Sequence, residues 1–511
     1  MTTQDVSSNP RDAFVAGLTS GQPQLVVRRL INDLETPVSA FLKVGHGRPY
    51  ASLLESVEGG AVNGRYSIVT LDPDVVWRCR NGQAEIARGP AIAAGHFSPE
   101  DAPALQSLRS LIAATRFDLP NDLPPMAAGL FGVFGYDMVR LLEPLGEANP
   151  DPLNLPDAVM ARPSLVAIFD SVKHEIILVA AAYPDTAKDA EAAYDAAITR
   201  LEGFEDRLRS SLPIQREIEI AFTPDFKSPV DEVGFAAMVA KAKNYITAGD
   251  IFQVVLAHRF SAAWDQDPFA FYRALRRGNP SPYLFFLDYV DFQLAGSSPE
   301  ILVRLKDGRV TIRPLAGTRP RGATPELDKA LEAELLADPK ERAEHLMLLD
   351  LGRNDVGRVS APGSVEVTES FVVERYSQVM HIVSNVNGKA DPKLDAVDTL
   401  LAALPAGTLS GAPKVRAMEI IDELETEKRG VGYGGGVGYI SANGEADICI
   451  VLRTAMFAQD QIFVQAGAGV VSDSDPKAEY EETLAKARAP MKAAEEAWRF
   501  NSTARSALGK S

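Results

Sequence analysis

The chain has 511 residues, 46% of them apolar, which suffices for roughly two to four folded domains and excludes disorder of the whole chain. Lys and Arg total 52 against 69 Asp and Glu, and the net charge of −17 argues against general binding to nucleic acid or to anionic membranes. Only two cysteines are present, Cys79 and Cys449. They exclude a disulfide framework or a thiolate zinc site and favour a reducing cytoplasmic compartment.

Residues 1–24 carry neither a basic start nor a long apolar run, so we expect a loose polar lead-in and no signal peptide. The most apolar segments elsewhere have the length of strands. A membrane-spanning helix needs about 20 apolar residues, so we expect a soluble protein.

Residues 25–212 form the first predicted region. Short apolar segments alternate with Gly, Pro and Asn as far as residue 183, a pattern typical of strands. One hairpin is expected to turn near Lys173 and His174. Residues 186–212 then have the apolar spacing of a helix. We therefore expect a region of sheet with few helices.

A connector at residues 213–229 precedes the second predicted region, residues 230–490. Ser228 is expected to cap a helix over residues 231–248. The following strands are joined by hairpins, one of them turning at the Asp-Gly pair that begins with Asp307. Helical segments interrupt these strands at residues 325–351, 410–425 and 477–498. The pattern predicts an α+β protein with antiparallel sheet rather than alternating βαβ units.

Two of these helical segments carry the same acidic motif, E-x-x-E. Glu341 and Glu344 are three residues apart on one helix, as are Glu479 and Glu482 on the other, so each pair shares a helix face. Two such pairs could meet across a pocket and hold Mg²⁺, which prefers oxygen ligands. The alternative is that all four are solvated acids on helix surfaces.

Two glycine-rich segments suggest places where backbone approaches a ligand. Gly430, Gly432 and Gly435 formally match G-x-G-x-x-G, but they follow a helix and precede a hairpin, which argues against a dinucleotide site and favours a bend lining a cleft. Gly467 and Gly469 lie between a strand and the last helix. They could present N–H groups to an anion, or simply form a tight turn.

Two isolated polar residues lie in segments predicted to be strands, and each has both a structural and a functional interpretation. Arg453 is either a charge on a strand face or a carboxylate clamp, and His381 is either a core residue or a catalytic one. No zinc motif and no nucleophile elbow accompanies them.

Together these motifs resemble the chorismate-utilising enzymes, and most closely the large (component I) subunits of anthranilate synthases. The matching segments follow family order over most of residues 230–488: GDIFQVVLAHRF, NPSPYLFFL, GSSPE, IRPLAGTRPRG, ERAEHLMLLDLGRNDVGR, QVMHIVSNV, PAGTLSGAPKVRAMEII, YGGGVGY, DICIVLRTA and QAGAGVVSDSDPKAEYEETLAKA. The resemblance implies an aminodeoxychorismate-synthase-like fold, with antiparallel β-sheets packed as a sandwich with peripheral helices. Strands of both regions would then intermix.

The resemblance also implies a ligand set. Glu344 and Glu482 would bind Mg²⁺, with Glu341 and Glu479 in the outer coordination sphere. The substrate-binding positions would be Gly317, Thr318, Tyr433, Arg453, Gly467, Ala468, Gly469 and Lys486. Because chorismate is a dianion, an acidic protein must supply cations and N–H groups locally.

The family reaction adds a nucleophile at ring C2 while the 4-hydroxyl leaves, and anthranilate synthases then eliminate pyruvate. By resemblance Glu300 is the general acid for the leaving hydroxyl, which requires a raised pKa. His381 is our candidate for assisting pyruvate loss, with Thr408 in support.

Two positions discriminate within the family. Water-using isochorismate and salicylate synthases have a Lys base where this chain has Gln253, and aminodeoxychorismate synthases typically have a Lys where it has Ala316. Both favour an ammonia-using anthranilate synthase. The alternatives are an aminodeoxychorismate synthase and a non-catalytic tryptophan-sensing subunit.

The family's tryptophan feedback site is matched by a shorter motif in the first region. The implied effector residues are Glu55, Ser56, Pro282, Tyr283 and Leu284, the last replacing a common Met. Nothing in the chain resembles a fused glutamine amidotransferase, so a separate subunit (component II) and a hetero-oligomer are implied.

Overall fold

The computed structural model describes residues 10–58, 62–212, 221–376 and 379–500. These residues form the following helices: α1 Pro10–Thr19, α2 Pro37–Val44, α3 Pro90–Ala93, α4 Ala104–Thr115, α5 Ala190–Arg209, α6 Glu232–Ala248, α7 Pro268–Gly278, α8 Pro325–Ala337, α9 Pro339–Arg358, α10 Ala396–Ala403, α11 Lys414–Leu424 and α12 Pro476–Glu496.

The strands are β1 Gln24–Ile31, β2 Ser52–Glu55, β3 Val57–Glu58, β4 Val62–Asn63, β5 Tyr66–Arg80, β6 Gln83–Arg88, β7 Ser98–Pro99, β8 Gly129–Phe134, β9 Ala158–Asp170, β10 Glu175–Ala182, β11 Gln253–Ala263, β12 Tyr283–Asp288, β13 Gln293–Ser298, β14 Ile301–Lys306, β15 Arg309–Ile312, β16 Leu315–Pro320, β17 Glu366–Arg375, β18 Val379–Lys389, β19 Gly411–Ala412, β20 Gly436–Ser441, β21 Ala446–Ile450, β22 Thr454–Ala458 and β23 Gln461–Val470.

One hydrogen-bonded sheet contains 21 of these strands, and β3 with β4 forms a separate pair. The pairings are antiparallel, as between β5 and β9, β11 and β23, and β17 and β18. Antiparallel strands need only short hairpins between them, which leaves the helices free to pack around the sheet. The α+β prediction is therefore confirmed. None of the helices in the described ranges is long and apolar enough to cross a membrane.

Strands from both halves of the chain pair with each other. β2 lies beside β12, with Glu55 opposite Leu284, and β8 lies beside β20, with Val133 opposite Val437. The expected effector motif of the first predicted region thus lies beside a strand of the second region.

Local sequence signals placed several elements correctly. The β9–β10 hairpin turns where expected, with His174 at φ +52°, and the β14–β15 hairpin turns at Asp307, φ +50°, and Gly308, φ +68°. Short polar residues and glycine tolerate this left-handed backbone best.

The expectation of few helices between residues 25 and 183 holds, since the described residues there form only three α-helices, α2, α3 and α4. Two other local expectations were wrong. The supposed polar lead-in contains α1, whose Phe14 and Leu18 are buried against Ala182. Ser228 does not cap α6: Asp231 does, accepting from the N–H of Gly234.

Helix α12 is fixed by its apolar face. Thr483 and Ala487 are fully buried, and Ala487, Ala493 and Ala494 belong to the largest apolar cluster. Glu482 and Lys486 lie beside this face and are half-exposed, at 47% and 46% side-chain exposure.

Candidate active site

The paired strands β11 and β23 form the floor of the site. Gly469 lies opposite Val255, and a Cβ on Gly469 would come within 2.7 Å of the Gln253 side-chain nitrogen. Because that space is open, Gln253 reaches α9 and donates through Nε2 to Glu344 Oε1 at 3.2 Å. Its Oε1 is buried with no hydrogen-bond partner among the described residues, which leaves one acceptor for a ligand.

The two E-x-x-E pairs come together at this floor. Burial raises the pKa of Glu344, and the charges of Glu341 and Glu482 raise it further, so carboxylates from both helices face the same space. Burial also raises the pKa of Glu479, which Glu482 reinforces. Mutual repulsion of this kind is relieved by a bound cation.

The carboxylates fit Mg²⁺ better than a metal that needs a full protein cage. Within the described ranges, no group of three or more His, Cys, Asp or Glu side chains is arranged to hold a metal. Mg²⁺ requires only one or two carboxylates, with water and substrate oxygens completing its coordination. Glu344 and Glu482 suit that role.

Two cations lie in the candidate site, Lys486 beside Glu482 and Arg453 near Glu300. Lys486 binds Glu482 Oε1 at 2.7 Å and donates to the carbonyl oxygen of Gly467 at 3.0 Å. Burial lowers the pKa of Arg453, an effect that Glu300 partly offsets. Arg453 also has a left-handed backbone, φ +48°, a conformation that non-glycine residues adopt at a cost and that marks functional positions.

Tyr433 closes the site above the glycine strand. It is buried, and a Cβ on Gly467 would lie 2.8 Å from its hydroxyl oxygen and 2.7 Å from the carbonyl oxygen of Leu256. Ala468 is fully buried between these glycines and belongs to a core cluster with α6 and α11. The glycine pair is therefore required for close packing, and the bare backbone faces the site.

His381 lies on β18 opposite Thr318 of β16. Its Nδ1 is 3.1 Å from the carbonyl oxygen of Gly317 and 3.0 Å from the hydroxyl of Thr318. A carbonyl can only accept, so Nδ1 carries the proton and Nε2 holds the lone pair. Burial, with Arg453 nearby, lowers the pKa of His381 to about 4, and Nε2 is buried without a partner in the described part of the chain. His381 is thus a neutral imidazole with one free basic nitrogen.

Glu300 follows β13 and is almost fully buried. Burial raises its pKa to about 8, although Thr408 and Arg453 oppose the shift. The Thr408 hydroxyl donates to Glu300 Oε1 at 3.2 Å. A carboxyl group that stays protonated at neutral pH, close to two cations, is suited to general acid catalysis.

The five expected effector residues all line one cavity of about 770 Å³. The Glu55 carboxylate is already paired, since it accepts hydrogen bonds from Arg276 and Tyr272. Glu300 lines the same cavity, so the expected effector residues and the candidate general acid border one space.

Polar groups that no sequence motif indicates also line this cavity. Arg304 donates to Asp447 at 2.9 Å and to the Tyr283 hydroxyl at 3.0 Å, and Cys449 is buried beside them. The alternation of charged and apolar residues in β14 and β21 was the only signal that could have pointed to them.

Comparisons with known proteins match most of the length of the chain. A family model described as chorismate binding enzyme matches residues 72–492. Anthranilate synthase component 1 of Cereibacter sphaeroides is 55% identical over 490 residues, covering 96% of this chain and 98% of that protein. The protein of the same name from Acinetobacter calcoaceticus is 47% identical over 478 residues, covering 92% and 95%.

Solved structures give the same result. The crystal structure of anthranilate synthase component I from Streptococcus pneumoniae TIGR4 is similar with a TM-score of 0.75 and 39% identity, covering 91% of this chain and 99% of that one. The menaquinone-specific isochorismate synthase MenF from Escherichia coli shares the fold, with a TM-score of 0.69, 18% identity and coverage of 95% and 100%. The resemblance seen in the sequence is therefore confirmed: the chain belongs to the chorismate-binding enzymes and, within them, to the component 1 anthranilate synthases.

Proposed function

We propose that this chain aminates chorismate at C2 with free ammonia in a Mg²⁺-dependent reaction, eliminates pyruvate to give anthranilate, and is inhibited by L-tryptophan as the first committed enzyme of tryptophan biosynthesis. The observation that carries the proposal is Glu300, a buried acid with its pKa raised to about 8, which shares its site with Arg453 and Lys486. The two cations match the dianionic substrate.

In the first step, the ammonia nitrogen bonds to ring C2, the ring double bonds shift, and the C4–O bond breaks. Hydroxide is a poor leaving group, so Glu300 gives its proton to the departing oxygen, which leaves as water. The residual proton on the new ammonium nitrogen is lost to solvent.

Gln253 supports ammonia as the nucleophile. An amide cannot deprotonate water, whereas unprotonated ammonia needs no base. The free Oε1 of Gln253 can accept a hydrogen bond from ammonia, while its Nε2 is held by Glu344. Gln253, which would hold ammonia, lies on β11, whereas the acid Glu300 lies in the turn after β13.

In the second step, the C2 proton is removed and the C3–O bond to the enolpyruvyl group breaks, so the ring becomes aromatic. The free Nε2 of His381 is the group we assign to this proton. The released enolpyruvate takes up a proton at carbon and becomes pyruvate.

Glu344 and Glu482 would hold Mg²⁺. When bound, the ion would neutralise carboxylate charge as electrons redistribute. Lys486 and the N–H groups of the glycine strand would bind and orient the substrate's remaining oxygens.

We expect the purified chain alone to form anthranilate and pyruvate in equal amounts from chorismate, Mg²⁺ and an ammonium salt, but not when glutamine replaces ammonium. The reason is that the sequence contains no glutaminase motif. Anthranilate fluorescence and a pyruvate assay measure the two products together. Turnover of glutamine by the chain alone would contradict the need for a separate component II subunit.

The same assay separates the alternatives. An aminodeoxychorismate synthase would consume chorismate without releasing pyruvate. Ala316 disfavours this alternative, because those enzymes typically have a Lys at its position.

A reducing cytoplasmic location is supported by two unpaired, buried cysteines.

Feedback by tryptophan is supported by the strand register. Tyr283 lies opposite Ser298 on the paired strands β12 and β13. The Ser298 hydroxyl lies 3.3 Å from the carbonyl oxygen of Glu300 and 3.4 Å from its backbone nitrogen. A ligand that displaces Tyr283 would therefore act on the backbone that carries the acid.

We expect Ser56→Phe to raise the inhibition constant for tryptophan at least about 10-fold, with a much smaller change in kcat. The phenyl ring would occupy the effector cavity, which Ser56 lines without taking part in the chemistry. Ser110→Phe, an exposed position on α4, serves as a matched control. Unchanged inhibition in Ser56→Phe would place the effector elsewhere.

A further inference from the structure

The buried ion pair between Arg429 and Glu425 lies next to the candidate site, and neither residue lines the cavity of about 770 Å³. Arg429 and Glu425 have side-chain exposures of 1% and 3%. Arg429 Nε donates to Glu425 Oε2 at 2.9 Å, and Nη2 donates to Glu425 Oε1. The cost of burying two charges is offset only by good geometry and further hydrogen bonds, so the remaining donors are informative.

Those donors bind the backbone of two catalytic segments. Arg429 Nη1 donates to the carbonyl oxygen of Leu409 at 2.6 Å, and Nη2 donates to that of Val255 at 2.8 Å. Leu409 directly follows Thr408, the partner of Glu300, and Val255 lies two residues beyond Gln253. Glu425 itself accepts from the N–H of Ala257 at 2.8 Å, on the same strand, β11.

The guanidinium also packs against two aromatic rings. Its carbon is 5.4 Å from the ring centre of Tyr433, which closes the site, and 4.7 Å from that of Tyr136. One planar guanidinium thus contacts the segment that follows Thr408, the strand that carries Gln253, and the ring of Tyr433. Lysine could not do the same, because an ammonium lacks the fixed planar fork.

We propose that Arg429, aligned by Glu425, is a positioning residue that holds Thr408, Gln253 and Tyr433 in register and so sets the proton affinity of Glu300 through Thr408. The inference rests on the proposed role of Glu300 as general acid. Arg429 acts through the Leu409 carbonyl: when that carbonyl is released, the Thr408 turn relaxes and its hydroxyl no longer reaches the carboxylate.

The direction of the effect follows from the hydrogen bond. Thr408 donates to Glu300 and stabilises its charged form, so losing this bond raises the pKa of Glu300. The other groups that act on Glu300 are Arg453, the backbone N–H of Leu315, Lys486 and the phenol of Tyr376, and none of them bonds to Arg429. The alkaline limb of kcat/KM should therefore move to higher pH.

The test is a double-mutant cycle with Arg429→Lys and Thr408→Val, followed by pH profiles of kcat/KM at a fixed concentration of unprotonated ammonia. We expect each single variant to move the alkaline limb upward by about one pH unit. Arg429→Lys should also lower kcat/KM by about 10²-fold. The double variant should show no further shift of the limb, because both changes remove the same bond.

Arg162→Lys is the matched control. Arg162 is fully buried and paired with Asp74 and Asp185, but it contacts none of the site residues. It should lower the melting temperature without moving the limb. If Arg429→Lys does not fold, Glu425→Asp keeps the charge pair while shortening one arm, and it should shift the limb in the same direction.

The outcomes distinguish the two proposals. If Thr408→Val leaves the limb in place, Glu300 is not the titrating acid and the proposed function fails at that residue. If Thr408→Val moves the limb while Arg429→Lys and Glu425→Asp do not, Arg429 is a structural residue and the positioning role is wrong. Additive shifts in the double variant would likewise refute action through Thr408.

Discussion

Glu300→Gln should lower kcat/KM for ammonia-dependent anthranilate formation by about 10³-fold, within the range that general acids usually contribute. The amide has nearly the same shape but cannot give a proton to the departing hydroxyl. Burial raises the pKa of Glu300 to about 8, so the active, protonated form predominates below that pH. Wild-type activity should then fall as pH rises through about 8, and the variant's residual activity should lack this limb.

The measurement needs one correction and one control. Rates must be compared at equal concentrations of unprotonated ammonia, because that concentration also rises with pH. Glu374→Gln is the control, since Glu374 lines the same cavity but is paired with Arg313. A Glu300→Gln enzyme with near-normal kcat/KM, or a limb at the same pH in both proteins, would contradict the assignment.

Local sequence patterns predicted those parts of the fold that neighbouring residues determine. The Asp307 hairpin follows from turn chemistry, and the shared face of Glu341 and Glu344 follows from helical spacing. Local pattern does not indicate helix α1, because its apolar face consists of Phe14 and Leu18, two residues in a polar segment, which are buried only by packing against Ala182 and side chains of α5. Tertiary contact determined that element.

Apart from the two E-x-x-E pairs, the candidate site follows from the sequence mainly through the family resemblance. Glu300 and Thr408 are 108 positions apart, and no periodicity relates them. Arg429 directly precedes a glycine-rich segment, where a charged side chain is usually exposed to solvent, but it is buried between the rings of Tyr136 and Tyr433. Ser228 was read as a helix cap because it precedes a helix, whereas its hydroxyl bonds to His258. Contacts between residues distant in sequence determine the burial and the partners of these polar groups, and short-range sequence patterns do not encode such contacts.

Glu482→Gln should raise the Mg²⁺ concentration needed for half-maximal activity by at least about 10²-fold and remove most activity at low Mg²⁺. The amide keeps an oxygen donor but loses the charge that, with Glu344, makes the pocket attractive to a divalent cation. Folding should be little affected, because the pair with Lys486 is half-exposed and such pairs contribute about 0–1 kcal/mol. Calorimetric titration with Mg²⁺ would measure the loss of binding independently of turnover.

Glu481→Gln provides the matched control on the same helix, since Glu481 is 63% exposed and pairs only loosely with Lys477, at 3.9 Å. It removes an equal charge one residue away, so any general electrostatic effect on the acidic helix should appear in both variants. A metal ligand predicts a large change in Mg²⁺ dependence for Glu482→Gln alone. Equal Mg²⁺ dependence in the two variants would remove Glu482 from the metal site and leave Glu344 to be tested by itself.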